Sequence, residues 1–386
     1  MGLEMKCLNI LHIGILSHYT EGMTYQDNML SEINVCDGHR VTFITDTYYY
    51  KSGKLVKGNK CDTVLPNGMR LIRVEYDWIL NRFLTEKIQR VSALNMLLES
   101  IKPEVILYHG LCGYELMDVA SYVKKNENVK FYADSHEDFN NTARTWLSKV
   151  AYKYIHGHFV KKALPYIDNV FYLTEETKYY LQKMYKIRDG LLEWYPLGGI
   201  LSTVEEQVLC RKKILSELQL PEDCILLGHS GKMDKGKRTK ELLCAFQKID
   251  SEKLYLLIWG SIPEKEQKNI KPLIESQKRV KYLGWKQGEQ ITELLNAVDV
   301  YCQPGTQSAS MQNAMCCGCA LVLYPHLSYQ VYLHENGYFV ETEEDIVTAF
   351  KDIALYPNRI NQMKKKSYAF AEKYLDYRKL AARLYK

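Results

Sequence analysis

No stretch of the 386 residues reaches the roughly 18 consecutive uncharged apolar residues that a membrane span requires, so no helix crossing a bilayer is expected. The amino-terminal run MGLEMKCLNILHIGIL lacks a basic region followed by a small-residue cleavage site, which argues against an export signal. Strong charge of either sign is missing too. Lys and Arg number 51 against 46 Asp and Glu, and the resulting net charge of +5 is too small and too mixed to argue for nucleic acid. There is no internal repeat and no low-complexity linker. The eleven cysteines follow no even spacing and stand in no secretory context, which excludes a disulfide framework. Cys316 and Cys319 do have C-x-x-C spacing. With no second pair and no histidine at ligand spacing, they read as small side chains in a tight helix-to-strand turn rather than a zinc or redox site.

What is present is an ordinary globular composition, 46% hydrophobic and 25% charged, in a chain too long for one core. Short β-rich runs alternate with helical stretches: LNILHIGIL, GHRVTFITD, PEVILYHG, VKFYADS and NVFYLT. After YPLGG the pattern begins again with CILLGHSG, KLYLLIWG, VKYLGW, VDVYCQPG, CALVLYP and GYFVE. Such alternation predicts parallel sheets covered on both faces, and the restart predicts two doubly wound α/β domains. The expected boundaries are 1–198 and 199–365, with a last helix over 366–386 packing back across the junction. Ligands of open parallel sheets sit beyond the carboxyl ends of the strands, so functional residues are sought in the loops that follow those runs.

Three such loops carry chemistry. HSGKMDKGKRTKELLCAF places Gly231, Lys232, Lys235 and Lys237 between a strand and a helix, a cationic turn suited to phosphate charge or, alternatively, a solvated basic turn. QPGTQSASMQNAMCCG sets Ser308, Ala309, Ser310, Gln312 and Asn313 around a helix start whose amides and dipole favour anions, with Gly318 as the left-handed cap at its end. Simple helix capping is the plain alternative. FYADSHEDF puts Asp134, His136, Glu137 and Asp138 just past a strand. A D-x-H-x-D run, joined by His109, could ligate a metal and define a hydrolase, and a buried hydrogen-bonded histidine is the other alternative.

The order of these motifs, with LGW before a helix and PG-x-x-S ending in AMCCG, resembles the family 4 retaining glycosyltransferases along essentially the whole chain. The resemblance implies the GT-B architecture, two Rossmann-like domains with an interdomain cleft. It implies a nucleotide-sugar donor, a saccharide or lipid-linked acceptor, no nucleic acid and no cofactor or metal. Lys237 matches the family's lysine, with Lys235 a close rival for that match, and Lys232 stands where an arginine is usual. Trp285 matches the position that contacts the base, unless it packs in the core. The family's two helix glutamates fall here on Gly305 and Asn313, so neutral Ser308, Ser310, Gln312 and Asn313 are left to read sugar hydroxyls. His136 matches the histidine beside the reacting sugar, with Asp134 or Asp138 fixing its tautomer or receiving the acceptor proton. Gly22 stands where two glycines are usual, and Tyr25 and Gln26 are expected to face the cleft.

The resemblance implies transfer with retention by positioning and electrostatics, and surface polysaccharide or glycolipid synthesis as its setting. The absent acidic pair leaves a binding protein without turnover as a rival, and a nucleotide-sugar epimerase, which would need no acceptor, as another. RTWLSKVAYKYIHGHFVKK, from Arg144 to Lys162, mixes aromatic and basic residues and reads either as a solvated amphipathic helix or as a surface for an anionic bilayer. A soluble cytoplasmic protein is expected, and a peripheral membrane contact is compatible with it.

Overall fold

The structure, a computed structural model, describes residues 6–51, 54–82, 85, 88–139, 141–142 and 144–386. The chain divides into two units, one formed by Met1–Pro196 with Tyr377–Lys386 and the other by Leu197–Asp376.

Among the described residues unit 1 contains ten strands: β1 (Asn9–Gly14), β2 (Arg40–Asp46), β3 (Tyr48–Lys51), β4 (Lys54–Lys57), β5 (Cys61–Val64), β6 (Arg70–Val74), β7 (Val105–Tyr108), β8 (Lys130–Ser135), β9 (Asn169–Tyr172) and β10 (Leu192–Trp194). Eight of them form one sheet in the order β10-β9-β8-β7-β1-β2-β6-β5, parallel except for β5 against β6. The central strands read as unbroken apolar runs because helices cover both faces. One face buries Leu11, Ile106 and Phe131, the other Ile10, Phe43 and Leu107. The strand order reverses between β1 and β7.

Unit 2 has six strands, β11 (Ile225–Lys232), β12 (Leu254–Ser261), β13 (Val280–Tyr282), β14 (Val300–Gln303), β15 (Ala320–Leu323) and β16 (Gly337–Phe339). All are parallel, in the order β13-β12-β11-β14-β15-β16, with the reversal between β11 and β14. Each run that the sequence marks as a strand is one. The strands it passes over, β3 to β6 and β10, are short, charged or at the sheet edge, where alternation is weak.

Local chemistry sets the helix ends. Thr203 with Glu206 and Thr342 with Asp345 form reciprocal capping boxes at the helices Val204–Leu218 and Glu343–Leu355. Helix Ser310–Cys316 ends in a Schellman motif, with Gly318 at φ +74° and Cys319 N donating to Ala314 O at 2.9 Å. All eleven cysteines are free, and Cys316 and Cys319 are buried in this turn, where Cys319 Sγ donates to Leu295 O at 3.2 Å.

The expected single last helix is corrected. Residues from 366 onward continue the helix Pro357–Tyr374, which belongs to unit 2, and the chain breaks at Leu375–Asp376 before a separate helix, Tyr377–Ala382, in unit 1. There Tyr377, Leu380 and Leu384 join the core, and Tyr195 Oη donates to Leu380 O at 2.7 Å. Among the described residues no helix is long and apolar enough to cross a membrane.

Candidate functional site

At the reversal in unit 2, β11 and β14 release their chains into loops that pack backbone on backbone. Thr306 N donates to Gly236 O at 2.9 Å, and Arg238 Nη1 donates to Pro304 O at 3.2 Å. Only glycine fits at 305, because a β-carbon there would stand 2.2 Å from Gly236 O and 2.8 Å from Lys237 O. The carboxylate expected at this position by resemblance is therefore sterically shut out as well as absent. Below the loops His229 ties the elements together. Its Nδ1 donates to Cys302 O at 2.8 Å, which leaves Nε2 to accept from Thr239 Oγ1 at 2.9 Å. Burial pulls this imidazole down to about 4, so it is neutral at physiological pH.

Lys237 is the group these loops enclose. Asp234 caps the single turn Lys235–Lys237, accepting from Lys237 N at 3.3 Å. The residue is 6% exposed, and among the described residues its Nζ has no hydrogen-bond partner. The side chain runs over Gly231, held at φ +115°, where a β-carbon would come within 3.0 Å of Lys237 Cε and 3.4 Å of Nζ. Burial lowers the ammonium to about 8, with Asp234 pulling the other way. A covered ammonium without a partner is unfavourable until an anion supplies one. Reaching it requires Lys237 to swing out past Gly231 or the flanking loops to part. Lys232, at the end of β11, and Lys235, in the turn itself, stand exposed.

Arg238 is the residue that sequence reasoning passed over. It takes the left-handed conformation, φ +57°, between the turn and the helix Thr239–Gln247, and its guanidinium lies 5.5 Å from the Tyr324 ring centre. Its adjacency to Lys237 in the sequence is the signal that marks it.

The helix start at 308–310 is a correction in part. Ser308 N donates to Tyr329 Oη at 2.8 Å, Ser310 N to Ser308 Oγ at 3.3 Å and Met311 N to Ser308 O at 3.4 Å. These amides are engaged within the protein, and the helix spans only seven residues. Ala309 is exposed. Gln312 is buried, with Nε2 donating to Tyr332 Oη at 3.4 Å and Oε1 left without a partner. Asn313 lies against the incoming chain, its Oδ1 only 2.8 Å from where a β-carbon on Gly199 would sit. Trp285 is 67% exposed beside Gly284, so the core-packing alternative falls.

In unit 1 the reversal joins β1 to β7, and a buried polar chain crosses it. Asp134, 1% exposed at the end of β8, accepts from His109 Nδ1 at 2.7 Å and Gly110 N at 2.9 Å. His109 Nε2 meets His12 Nδ1 at 3.0 Å, and His12 Nε2 meets Asn34 Oδ1 at 2.8 Å. With Asn34 Oδ1 accepting, His12 Nε2 must donate and its Nδ1 must accept. Both His109 nitrogens are then donors, which makes it the imidazolium. The electrostatics agree. Burial depresses His109, but Asp134 outweighs it and holds the group above the ordinary histidine value. Burial, then the charge on His109, takes His12 down to about 3.

His136 stands half-exposed outside this chain, its Nε2 3.9 Å from Asp134 Oδ1. At that distance no hydrogen bond joins them, and both Asp134 oxygens are engaged by His109 Nδ1 and Gly110 N. Asp138 closes a turn instead, accepting from Asn141 N at 2.8 Å. With both nitrogens of His109 engaged, the D-x-H-x-D metal alternative loses its additional ligand. Among the described residues no group of three or more His, Cys, Asp or Glu is arranged to hold a metal ion. Glu137 is partly buried, accepts from Ser135 Oγ at 3.3 Å, and is pushed up to about 8 by burial.

The early loop is mixed. Gly22 is exposed at φ +74° with open space around it, and Tyr25 is 53% exposed as the residue that precedes the helix Gln26–Cys36. Gln26 is a correction. It is buried, and Nε2 donates to Pro196 O at 3.1 Å, so it ties down the end of unit 1.

Residues 211–370 match the family model described as Glycosyl transferases group 1. No curated protein sequence matches the chain. Among solved structures, sucrose-phosphate synthase from Thermosynechococcus elongatus is similar at TM-score 0.64 and 17% identity over 97% of this chain and 96% of that one. HepE from Anabaena in complex with UDP gives 0.67 and 14%, covering 97% of both chains. WaaG, a glycosyltransferase involved in lipopolysaccharide biosynthesis, gives 0.63 and 14%, covering 97% of this chain and 99% of that one. At these identities the likeness speaks for the fold, which is GT-B.

Proposed function

We propose that this chain, a GT-B glycosyltransferase with its group 1 match over residues 211–370, moves a sugar from a nucleotide diphosphate sugar to a saccharide or glycolipid acceptor. The observation that carries the reading is the covered, partnerless Lys237 ammonium over Gly231 at the strand reversal of the matched unit. Breaking the sugar–diphosphate bond leaves negative charge on the departing phosphate, and a cation brought against that phosphate stabilises the charge as it develops. Arg238 and the exposed Lys232 and Lys235 add positive potential around the same turn.

In this reading the donor bond loosens, the acceptor attacks from the face the diphosphate leaves, and a released phosphate oxygen takes the acceptor proton. No protein nucleophile and no metal are needed. His136, beside the Asp134–His109 pair, orients the acceptor hydroxyl. Ser308, Ser310 and Asn313 read the sugar with neutral groups. HepE's complex with UDP makes uridine diphosphate the first nucleotide to try, and WaaG's part in lipopolysaccharide biosynthesis favours a surface glycan as product.

The test is a thermal-shift screen of nucleoside diphosphates and nucleotide sugars on the intact protein and Lys237→Ala. Stabilisation by one diphosphate, lost in the variant, is expected, and equal shifts in both overturn the assignment. The lack of a carboxylate at Gly305 and Asn313 favours one second reading, binding without turnover. Release of nucleoside diphosphate from the bound donor in the presence of a chelator separates the two.

A further inference from the structure

From Phe139 to Ile167 the sequence contains no Asp or Glu, while Arg144, Lys149, Lys153, Lys161 and Lys162 fall within it. This run forms a helical segment on the surface of unit 1, Trp146–Ala151, a wider turn Tyr152–His156, and Gly157–Ala163. Its inner side is fixed. Val160 and Ala163 are fully buried, Gly113 N donates to His156 Nδ1 at 3.3 Å, and Thr145 with Ser148 closes a capping box at the start.

The outer side is unusual for a solvated helix. Trp146 is 75% exposed, Tyr154 66%, Ile155 56% and Val150 37%, and Lys149 and Lys153 are interleaved with them at helical spacing. Lys153 Nζ stands 5.5 Å from the Tyr154 ring centre. A solvent-facing helix gains nothing by presenting a tryptophan, a tyrosine and two β-branched aliphatics among lysines.

We propose that this face docks unit 1 on an anionic lipid bilayer. The lysines meet the headgroup charge, Trp146 and Tyr154 sit at headgroup level with their polar edges wet, and Val150 and Ile155 reach the acyl boundary. Charge complementarity selects this occupant. A second copy of the same run would set lysine against lysine, with no Asp or Glu between Phe139 and Ile167 to pair them. A nucleic acid would satisfy the lysines and the aromatic rings but leave Val150 and Ile155 against a phosphodiester chain. The inference stands apart from the transfer reaction, since vesicle binding needs no donor.

The experiment is flotation of the full chain with phosphatidylcholine vesicles, with and without phosphatidylglycerol, at low and high salt. Binding only to the anionic vesicles, weakened by salt, is expected. Lys149→Glu with Lys153→Glu should lower it about tenfold or more, given what a single basic residue contributes near such a surface. Trp146→Ser with Tyr154→Ser should lower it while leaving the unfolding temperature and the diphosphate thermal shift unchanged. Absence of binding to anionic vesicles, binding that both double variants retain, or capture of a single-stranded oligonucleotide in preference to vesicles would each overturn the proposal.

Discussion

Gly231 and Lys237 are a coupled pair: the left-handed backbone of the first, at φ +115°, clears the space through which the ammonium chain of the second passes, with a hypothetical β-carbon 3.0 Å from Lys237 Cε. Gly231→Ala should therefore act twice. It strains the backbone by about 1–3 kcal/mol and displaces the lysine. A lowered Tm together with weakened diphosphate binding is expected on calorimetry, and a variant that loses only Tm would unlink the two residues.

Lys237 also sets a pH dependence. In the free protein its ammonium titrates at about 8, depressed from the ordinary lysine value of 10.5 by burial. Binding a phosphate anion needs the charged form, so the affinity for a nucleotide sugar, whose two phosphates stay ionised throughout, should be flat below about 8 and fall roughly tenfold per pH unit above it. Lys237→Ala should weaken binding by about 2 kcal/mol at neutral pH and flatten that limb. Isothermal titration at several pH values reads both.

Asp134 and His109 form a buried ion pair at 2.7 Å. Asp134→Asn removes the carboxylate and strands the imidazolium, a change expected to cost about 3 kcal/mol in urea unfolding. His109→Gln on that background should recover part of the loss. For Asp134, whose folded value lies below the ordinary carboxylate range with His109 overcoming the effect of burial, the stabilisation is present above the unfolded value and is lost as pH falls through the folded one.

Glu137 works the other way. Burial raises its carboxyl to about 8, so the folded chain holds a proton that the unfolded chain releases near 4.5. Stability from this group is full below the unfolded value and declines as pH climbs towards about 8. Glu137→Gln, neutral at every pH, should flatten this decline and raise Tm by a few degrees at pH 8, on the order of what one kcal/mol delivers. A thermal melt series from acid to mild alkali checks it.

Much of this architecture is legible in the residues themselves. Unbroken apolar runs such as ILLG and ALVL mark strands buried on both faces, and the loops after them hold Lys237 and His136, because a parallel sheet gathers function at its carboxyl ends. Other features depend on contacts distant in the chain. His12 looks like one polar residue in an apolar strand, and only the meeting of β1 with β7 turns it into the partner of His109. Gln26 looks exposed beside Tyr25 until Pro196, 170 residues later, accepts its hydrogen bond. The serines at 308 and 310 promise free amides, yet the Tyr329 hydroxyl that engages Ser308 arrives from beyond β15.

The crowding at Gly305 governs which sequence changes remain open to this protein. An α-carbon pressed against the carbonyls of its neighbours admits no side chain, so Gly305→Glu cannot bring back the lost acid by itself and should unfold the loop instead. A carboxylate at this place would first require the 236–238 turn to be reshaped. The absence of a side chain at 305 is thus fixed by the carbonyls around it, whereas Asn313 is only half-buried and lies against Gly199, a residue with no side chain of its own.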